Sequence, residues 1–240
     1  SYTLVEDIYP DYIRAQVALC DNHDSIHFWQ QQAARVEGLS FYQPQRQRSE
    51  NTYHFIEYTD TAAHFSAVKA WCDAHNTTPF FFFFALYAFM LQSVCHANNG
   101  FYFADIIAAR PKGHLQQTGC YFEQRPTIIP ATALSVDGKF SDLIEWLDEL
   151  RKEVRSGRNI SNSMQYRLFP QSGTHFLFNF YLTERYLPFM GSQSRTTFIV
   201  PERSDTVTFT AIVDSDKLLF NFTYTDNCFD NNRFIERLLH

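Results

Sequence analysis

The sequence predicts an α/β domain in which buried strands are covered by helices. Segments with apolar residues at helical spacing alternate along the chain with short aromatic and β-branched segments that are typical of strands. The chain has 240 residues, of which 45% are hydrophobic and 17% aromatic, so it can bury a sizeable core. Five consecutive phenylalanines, Phe80 to Phe84, open an apolar run that continues to Leu91.

This apolar run is too short for a membrane span and predicts a buried helix instead. It is about a dozen residues long, whereas a spanning helix needs roughly 20. Thr78 followed by Pro79 is typical of an N-cap and a first helical position. We therefore predict one helix from Thr78 to about Ala97, lying between other elements in the core of a soluble protein.

The segments before this helix can be assigned in chain order. Residues 1–22 are polar and tyrosine-rich and form a lead-in segment that is partly helical. Asp24 to about Val36 is an amphipathic helix, and YHFIEYT alternates like a strand. A second helix over 61–74 is expected to point four apolar side chains inward: Phe65, Val68, Ala70 and Trp71.

Two strands and a helix follow the phenylalanine helix. GFYFADIIAA is aromatic and β-branched without polar alternation, as in a buried strand. GCYFEQRPTII is a strand broken by Pro126 and Pro130. Residues 140–155 carry leucine and isoleucine at helical spacing, and this helix ends in the cations Arg151, Lys152 and Arg155, which matches the helix dipole.

The rest of the chain is mainly β-structure. THFLFNFYL is a strand, followed by the long irregular link TERYLPFMGSQS. TTFIV, TVTFTAIV and KLLFNFTYT are further strands, and the turn DSDK joins the last two. Residues 230–239 form a closing helix.

Composition excludes several classes of function. The net charge of −6 and the lack of a basic stripe argue against a nucleic-acid partner.

The five cysteines have no CxxC spacing, and no signal peptide precedes them. This predicts reduced thiols and a cytoplasmic protein that is not in a membrane. The nine histidines show no metal-like clustering, so no metal is expected. His23 and His27 either share one ion or lie exposed near a helix start.

Residue chemistry alone assigns no reaction. His175 and Asn179 share a strand face, because residues i and i+4 point the same way. The pair lines a pocket, or Asn179 satisfies backbone groups at a sheet edge. Two interpretations of Arg110 stay open. It binds an anion or another lobe, or it forms a structural ion pair. No phosphate-binding loop occurs, and the residues leave nucleophilic catalysis unsupported.

Five motifs, in order, resemble the condensation domains of non-ribosomal peptide synthetases. HFWQQQAARVEGLSFY is similar to their FW-x-x-x-L-x-G region, and TPFFFFFALYAFMLQSV to their T-P-F helix. FYFADIIAARPKGHLQQTGCYFEQRPTII resembles their strand, GR turn and IG-x-F-x-N-x-x-P-x-R segment. HFLFNFYL resembles their V-x-F-N strand, and KLLFNFTYTDNCFDNNRFIERLLH resembles their closing strand and helix.

The resemblance implies a fold and a missing half. Condensation domains resemble chloramphenicol acetyltransferase, with two similar α/β lobes in a V around a tunnel where an amine attacks a carrier-bound thioester. Their H-H-x-x-x-D-G motif, which holds the catalytic histidine in the first lobe, is absent here. Residues 23–240 are therefore expected to be the C-terminal lobe alone, with a mixed β-sheet covered by helices and no catalytic residue. The start, SYTLVED, suggests an excised piece.

The resemblance also implies site residues. Arg110, Gly119 and Asn179 match family positions, and together with His175 they are candidates for the tunnel or the interface between lobes. Asn179 would face the tunnel, and the link over 184–194 would reach across to the first lobe. Two departures are Ala109, where the family has glycine, and the replacement of the family's asparagine near 123–124.

The expected partners are peptidyl or aminoacyl carrier proteins, whose phosphopantetheine holds the substrates, and the N-terminal lobe. No cofactor is expected to bind this chain directly. A lone lobe would expose an apolar seam, which predicts a homodimer or marginal solubility.

Three functions stay open. The first is half of an amide-forming condensation domain, with an epimerisation domain not excluded. The second is a non-catalytic module that recruits a carrier protein or a tailoring enzyme. The third is part of an acyltransferase that uses coenzyme A thioesters.

Overall fold

Six strands form one mixed sheet in the computed structural model. The structure describes residues 7–36, 53–95, 100–114, 120–134, 138–155, 159–169, 176–182, 207–214 and 217–225. The strands are β1 (Tyr53–Asp60), β2 (Phe101–Ala108), β3 (Phe122–Ile129), β4 (Phe176–Leu182), β5 (Val207–Asp214) and β6 (Lys217–Thr225). Their order is β1-β6-β5-β4-β2-β3, in which β2–β4 and β4–β5 are parallel and the other pairs antiparallel. The predicted mixed α/β architecture is confirmed.

Six α-helices lie within the described ranges: α1 (Tyr9–Ala18), α2 (His23–Ala33), α3 (Ala62–Ala74), α4 (Pro79–Cys95), α5 (Phe140–Arg155) and α6 (Asn162–Leu168). The phenylalanine helix is confirmed as α4, and the Thr78 hydroxyl oxygen accepts a bond from Phe81 N at 3.5 Å, as the predicted N-cap requires. Helix α6 is not predicted by the sequence, because its seven residues make only two turns.

The proline in β3 does not break the strand. Pro126 lies inside β3 and pairs with Ala104 of β2, whereas Pro130 follows the last strand residue. Strand β3 is the outermost strand of the described sheet, so the missing N–H of proline can point away from β2 at no cost to the ladder. The predicted break at Pro126 is therefore wrong, and its cause is the edge position.

Helix α3 packs on one side only. Phe65, Val68 and Trp71 are partly buried against the main core, as predicted, but Ala70 is exposed. Cys72 is the buried residue of this helix, with 1% of its surface exposed. Its burial raises the pKa of the Cys72 thiol to about 11, which keeps it protonated at neutral pH.

Helix α4 is the centre of the main core. Phe83, Phe84, Tyr87 and Leu91 on its inner side are each at most 1% exposed. The Phe84 ring lies 5.2 Å from the ring of Phe103 on β2 and 5.0 Å from that of Phe178 on β4. The outer side differs from the prediction, because Phe89 there is 50% exposed.

A second, smaller core lies around Trp29 of α2, which is fully buried. It joins α2 and α6 to Tyr102 of β2 and Ile128 of β3. Helix α5 contributes Leu143, Ile144 and Leu147 to the main core and Leu150 and Val154 to this second core. Helix α5 therefore ties the two cores together.

An ion pair lies inside the molecule between β2 and α5. Arg151 NH2 is 2.9 Å from Asp105 Oδ2, and the two side chains are 13% and 3% exposed. Thr127 Oγ1 donates to Asp105 Oδ1 at 3.1 Å. The Arg151 guanidinium also lies 4.3 Å from the centre of the Phe80 ring. Arg151 thus turns into the core, rather than serving only the dipole of α5.

No helix within the described ranges combines the length and the apolar character needed to cross a membrane. Of the cysteines there, Cys20, Cys72 and Cys120 carry free thiols. The predicted strand TTFIV, the predicted helix over 230–239 and the link over 184–194 lie outside the described residues.

Candidate functional site

The sheet has two chemically different faces. The face towards α4 carries the apolar residues of β4, including Phe178 and Phe180. Side chains alternate along a strand, so Asn179 points to the opposite face, which we call the second face. The hydrophilic residues of β5 and β6, among them Thr210 and Asn221, are also on this second face, because Phe209 and Phe222 belong to the main core.

The strand register aligns four side chains in one row across the sheet. Asn179 pairs with Thr210, Thr210 with Asn221, and Asn221 with Glu57 of β1. We call these four residues the polar row. Neighbouring strands lie about 4.8 Å apart, so the row spans about 14 Å across the sheet.

The middle of the polar row is buried. Thr210 and Asn221 are 7% and 5% exposed, whereas Glu57 at the end of the row is exposed. Asn221 Oδ1 is buried and has no hydrogen-bond partner within the part of the chain that the structure describes. A buried acceptor without a donor costs roughly 1–3 kcal/mol, so the fold buries Asn221 Oδ1 at a cost.

The rows on either side combine hydroxyls with apolar side chains. Thr208 and Thr223 pair in the row before, at 4% and 3% exposure, and Ile212 pairs with Leu219 in the row after. Asn and Thr supply donors and acceptors but do not titrate near neutral pH. The described centre of this buried face therefore offers neutral donors and acceptors but no general base.

The structure gives the position of Asn179, whereas its role stays a prediction. Strand β4 lies between β5 and β2, so Asn179 is not on an edge strand. The pairing of β4 with β2 ends at Phe178, opposite Asp105. Asn179 is thus the first residue where β2 and β4 separate. The predicted partner His175 lies outside the described residues, as does Gly119.

Arg110 lies at a different place from the polar row. It follows the end of β2, about 13 Å along the strand from the level of Asn179. Its guanidinium lies 4.1 Å from the centre of the Tyr121 ring, and NH1 donates to the His114 carbonyl at 3.0 Å. These contacts link Arg110 to residues just after β2 and just before β3, so the structure does not bring Arg110 and Asn179 together.

Glu123, which departs from the family pattern, anchors α1 to β3. Its Oε1 accepts bonds from Tyr12 OH at 3.2 Å and from Gln16 Nε2 at 2.8 Å. Its Oε2 accepts a bond from Arg125 NH2 at 3.2 Å. Burial, and then the Glu123 carboxylate, raise the pKa of Tyr12 well above its ordinary value. Helix α1 is therefore packed on the sheet.

This shifted pKa predicts a loss of stability in alkali. Tyr12 stays protonated in the folded protein while its unfolded counterpart ionises near pH 10, so the free energy of unfolding should fall above that pH. The free energy of unfolding should fall by at most about 1.4 kcal/mol per pH unit. Tyr12→Phe should be less stable at pH 8, where the bond to Glu123 is lost, but should show a shallower decline between pH 10 and 11. Urea unfolding at pH 8, 10 and 11 measures this. Equal slopes for the two proteins between pH 10 and 11 would contradict it.

Thr210 and Asn221 are not predicted as site residues from the sequence. The signal was present in TVTFTAIV and KLLFNFTYT, where polar residues alternate with phenylalanine, alanine and valine. That alternation predicts one polar face for each strand, but only the register shows that these faces meet Asn179. Within the described part of the chain, no group of three or more histidine, cysteine or acidic side chains could hold a metal ion.

Comparison with known proteins identifies the fold. Neither a protein-family model nor a curated protein sequence matches the chain. The solved structure of VibH, a condensation enzyme of non-ribosomal peptide synthesis, superimposes with a TM-score of 0.74 at 14% identity, over 98% of this chain and 57% of VibH. The chain has a condensation-domain-like fold.

Two further solved structures share this condensation-domain-like fold. The condensation domain of the monacolin K polyketide synthase MokA matches with a TM-score of 0.76 and 14% identity, over 100% of this chain and 60% of that one. The X-domain in complex with OxyB from teicoplanin biosynthesis gives 0.76 and 14%, over 100% and 57%. The chain thus spans about three fifths of the length of these proteins, and the predicted acetyltransferase-like fold class is confirmed.

Proposed function

We propose that this domain is the C-terminal lobe of a condensation domain in a non-ribosomal peptide synthetase. In this role it supplies one wall of the channel in which two thioester-bound substrates are joined by an amide bond. The observation that carries the proposal is the polar row on the second face, with the buried and unpaired Asn221 Oδ1 at its centre. The condensation-domain-like fold supports it.

The chemistry of the row suits amide-bearing substrates. A pantetheine arm and a peptidyl chain both present amide N–H and C=O groups and no charge along most of their length. Asn179, Thr210 and Asn221 can donate to such carbonyls and accept from such N–H groups. Since the centre of the row cannot remove a proton, we assign it the positioning of substrates, and we assign proton transfer to the lobe with the H-H-x-x-x-D-G motif.

The partners follow from this role. Peptidyl or aminoacyl carrier proteins would bring phosphopantetheine-linked substrates to the two ends of the channel, and the N-terminal lobe would form the other wall. The reaction would take place in the cytoplasm. No cofactor would be held by this chain itself.

Asn221→Leu separates this function from stability. Leucine is close in size and removes the unpaired acceptor, so the free energy of unfolding should stay the same or rise by about 1–2 kcal/mol. Amide formation should nevertheless fall by about tenfold or more, because the substrate loses a hydrogen bond in the channel. The assay uses the native polypeptide that contains this domain, with loaded donor and acceptor carriers.

Thr223→Val is the matched control, because it lies on the same strand and the same face but outside the polar row. It should change amide formation by less than about threefold. Full activity of Asn221→Leu would contradict the role of the polar row. A native polypeptide that has no H-H-x-x-x-D-G peptide would contradict the condensation reaction altogether.

The same assay distinguishes the other two functions. A neighbour with this fold, the X-domain, is in complex with OxyB, and the centre of the polar row has no titratable group, so a recruiting module is the second candidate. Binding of a carrier protein or tailoring enzyme without amide formation would favour it. Turnover of free coenzyme A thioesters would instead favour an acyltransferase.

A further inference from the structure

The ladder between β2 and β4 stops while both strands continue. It has only two residue pairs, and the second of them is Asp105–Phe178. Strand β2 runs on to Ala108 and β4 to Leu182. The described side chains of both strands are buried up to this pair and half-buried beyond it. The two strands therefore diverge here, and water reaches the opening between them, which we call the fissure.

The direction of the backbone groups of β2 follows from its pairing with β3. Ala109 N donates to the Tyr121 carbonyl, directly opposite, at 2.7 Å. In an antiparallel ladder, pairs that exchange such bonds alternate with pairs that do not. Ile107 therefore points its N–H and C=O towards β3, whereas Ile106 and Ala108 point theirs towards β4.

The direction of the backbone groups of β4 follows in turn. In a parallel ladder, a residue bonds to the two neighbours of its partner. Ala104, which also points towards β4, is the partner of Leu177, so it bonds to Phe178 as one of these neighbours. Successive residues of a strand point to opposite sides, and Phe180 and Leu182 therefore point their N–H and C=O groups into the fissure.

The β4 edge of the fissure carries unpaired backbone groups. Within the described residues, the β2–β4 ladder ends before it reaches Phe180 and Leu182. The β2 edge offers less, because the pair Asp105–Phe178 already uses the N–H of Ile106. Backbone N–H and C=O groups that leave a ladder bond to water or to another molecule, so the β4 edge is open to one more strand.

This edge matches the backbone of an α-peptide. Its groups recur every second residue, about 6.6 Å apart, which is the repeat of an extended peptide chain. A pantetheine arm fits this repeat less well, because β-alanine places an extra methylene between its two amides. In strand addition of this kind, main-chain bonds supply the affinity. The fissure also begins at Asn179, so a peptide in it lies next to the polar row.

We propose that the β4 edge of the fissure binds the backbone of a carrier-bound peptide as an additional strand. The inference rests on the proposed condensation function and names its substrate class, which is a peptidyl chain rather than a single aminoacyl group. The side chains of such a strand alternate between the two faces of the sheet, and only its backbone is held. The domain therefore accepts peptides of varied sequence but requires their N–H groups.

Binding is measured first, without catalysis, on the native polypeptide that contains this domain. The probe is acetyl-tetraalanine joined by an amide bond to aminopantetheine. Hydrogen exchange at the amides of Phe180 and Leu182 should slow by about tenfold or more when the probe saturates, and mass spectrometry with single-residue fragmentation resolves them. The amide of Tyr181, which faces β5, is the control and should not change. Unchanged exchange at Phe180 and Leu182 would overturn the proposal.

A methyl scan of the donor then tests the strand geometry. Donor carriers are loaded with acetyl-tetraalanine that is methylated at one peptide nitrogen at a time. Amide formation should fall by about tenfold for every second position, where the N–H bonds to β4, and by less than about threefold for the positions between. Equal effects at all positions would refute the added strand. No amide formation even with the unmethylated donor would contradict the proposed function alone, because the exchange measurement decides the fissure independently.

A proline in β4 removes one donor of the edge. Leu182→Pro loses the N–H that points into the fissure but no bond to β5, as Pro126 does in β3. It should weaken the probe by about tenfold, measured by calorimetry. Leu182→Ala is the matched control, because it loses the same side chain and keeps the N–H, and it should weaken the probe by less than about threefold. Equal weakening by the two variants would contradict main-chain recognition.

Discussion

Asp105→Ala is expected to lower the free energy of unfolding by about 3–5 kcal/mol. The substitution removes the carboxylate that lies 2.9 Å from Arg151 NH2 and accepts from Thr127 Oγ1. The Arg151 guanidinium, whose side chain is only 13% exposed, would keep its charge in an apolar environment beside Phe80. A mostly buried charge that loses its carboxylate partner costs far more than the loss of one contact, and this is why the effect is large.

Urea unfolding followed by circular dichroism measures this change, and a double variant tests its cause. Asp105→Leu combined with Arg151→Met removes both charges at similar volume, and it should be within about 1 kcal/mol of the wild type or more stable. The matched control is Asp11→Ala, which removes an exposed ion pair to Arg14 on α1 and should change stability by less than about 0.5 kcal/mol. A loss below about 1 kcal/mol for Asp105→Ala would show that the pair is not desolvated.

Phe84→Ala is expected to lower the free energy of unfolding by a similar amount, about 3–5 kcal/mol. Phe89→Ala on the same helix should lower it by less than about 1 kcal/mol. Phe84 is fully buried and contacts Phe80, Phe103 and Phe178 at 5.1, 5.2 and 5.0 Å between ring centres. Removing its ring leaves a cavity in a core that cannot close around it. Phe89 has half of its surface in water, so its removal leaves no enclosed void.

Because both changes are Phe→Ala on α4, helix propensity and side-chain chemistry cancel in the comparison. Equal losses would contradict the difference in burial between the two sides of α4. The Arg151 guanidinium lies 5.5 Å from the Phe84 ring. The losses from Asp105→Ala and Phe84→Ala should therefore not be additive when the two are combined.

The elements that the sequence predicts well are those with strong local signals. Helix α5 was predicted with the observed bounds, because leucine and isoleucine recur along its buried side. The start of α4 followed from Thr78 and Pro79, which favour a cap and a first turn whatever surrounds them. The β5–β6 hairpin followed from the turn between two alternating strands, and Asp214 pairs with Lys217 as that turn requires.

The predictions that failed depended on neighbours in space. Pro126 was expected to break β3, and it does not, because β3 has only β2 beside it in the described sheet. Ala70 was expected to face inward, but α3 buries only a narrow stripe. Ala70 lies outside this stripe and is exposed, whereas Cys72 is buried. Helix α6 was missed because seven residues carry too little periodicity to distinguish a helix from a turn.

The candidate site was predictable only in part. The sequence indicated Asn179 through its i, i+4 relation to His175 and through the family resemblance, and the structure places this residue on the face away from the main core. It gave no sign that Thr210 and Asn221 stand beside Asn179, since these residues are far apart in the chain and their alignment depends on strand order and register. His175 and Gly119 lie outside the described residues, and their roles stay predictions.

The sequence by itself determined the α/β class, most of the elements and the burial of the phenylalanine run. Apolar periodicity and caps act between residues close in the chain, so these features are written locally. Only the tertiary structure decided which strands are neighbours, that Arg151 turns inward to Asp105, and that α4 has one side in the core and Phe89 half exposed on the other. Those features arise from contacts between distant segments, and such contacts depend on the packing of the whole sheet rather than on any single stretch of residues.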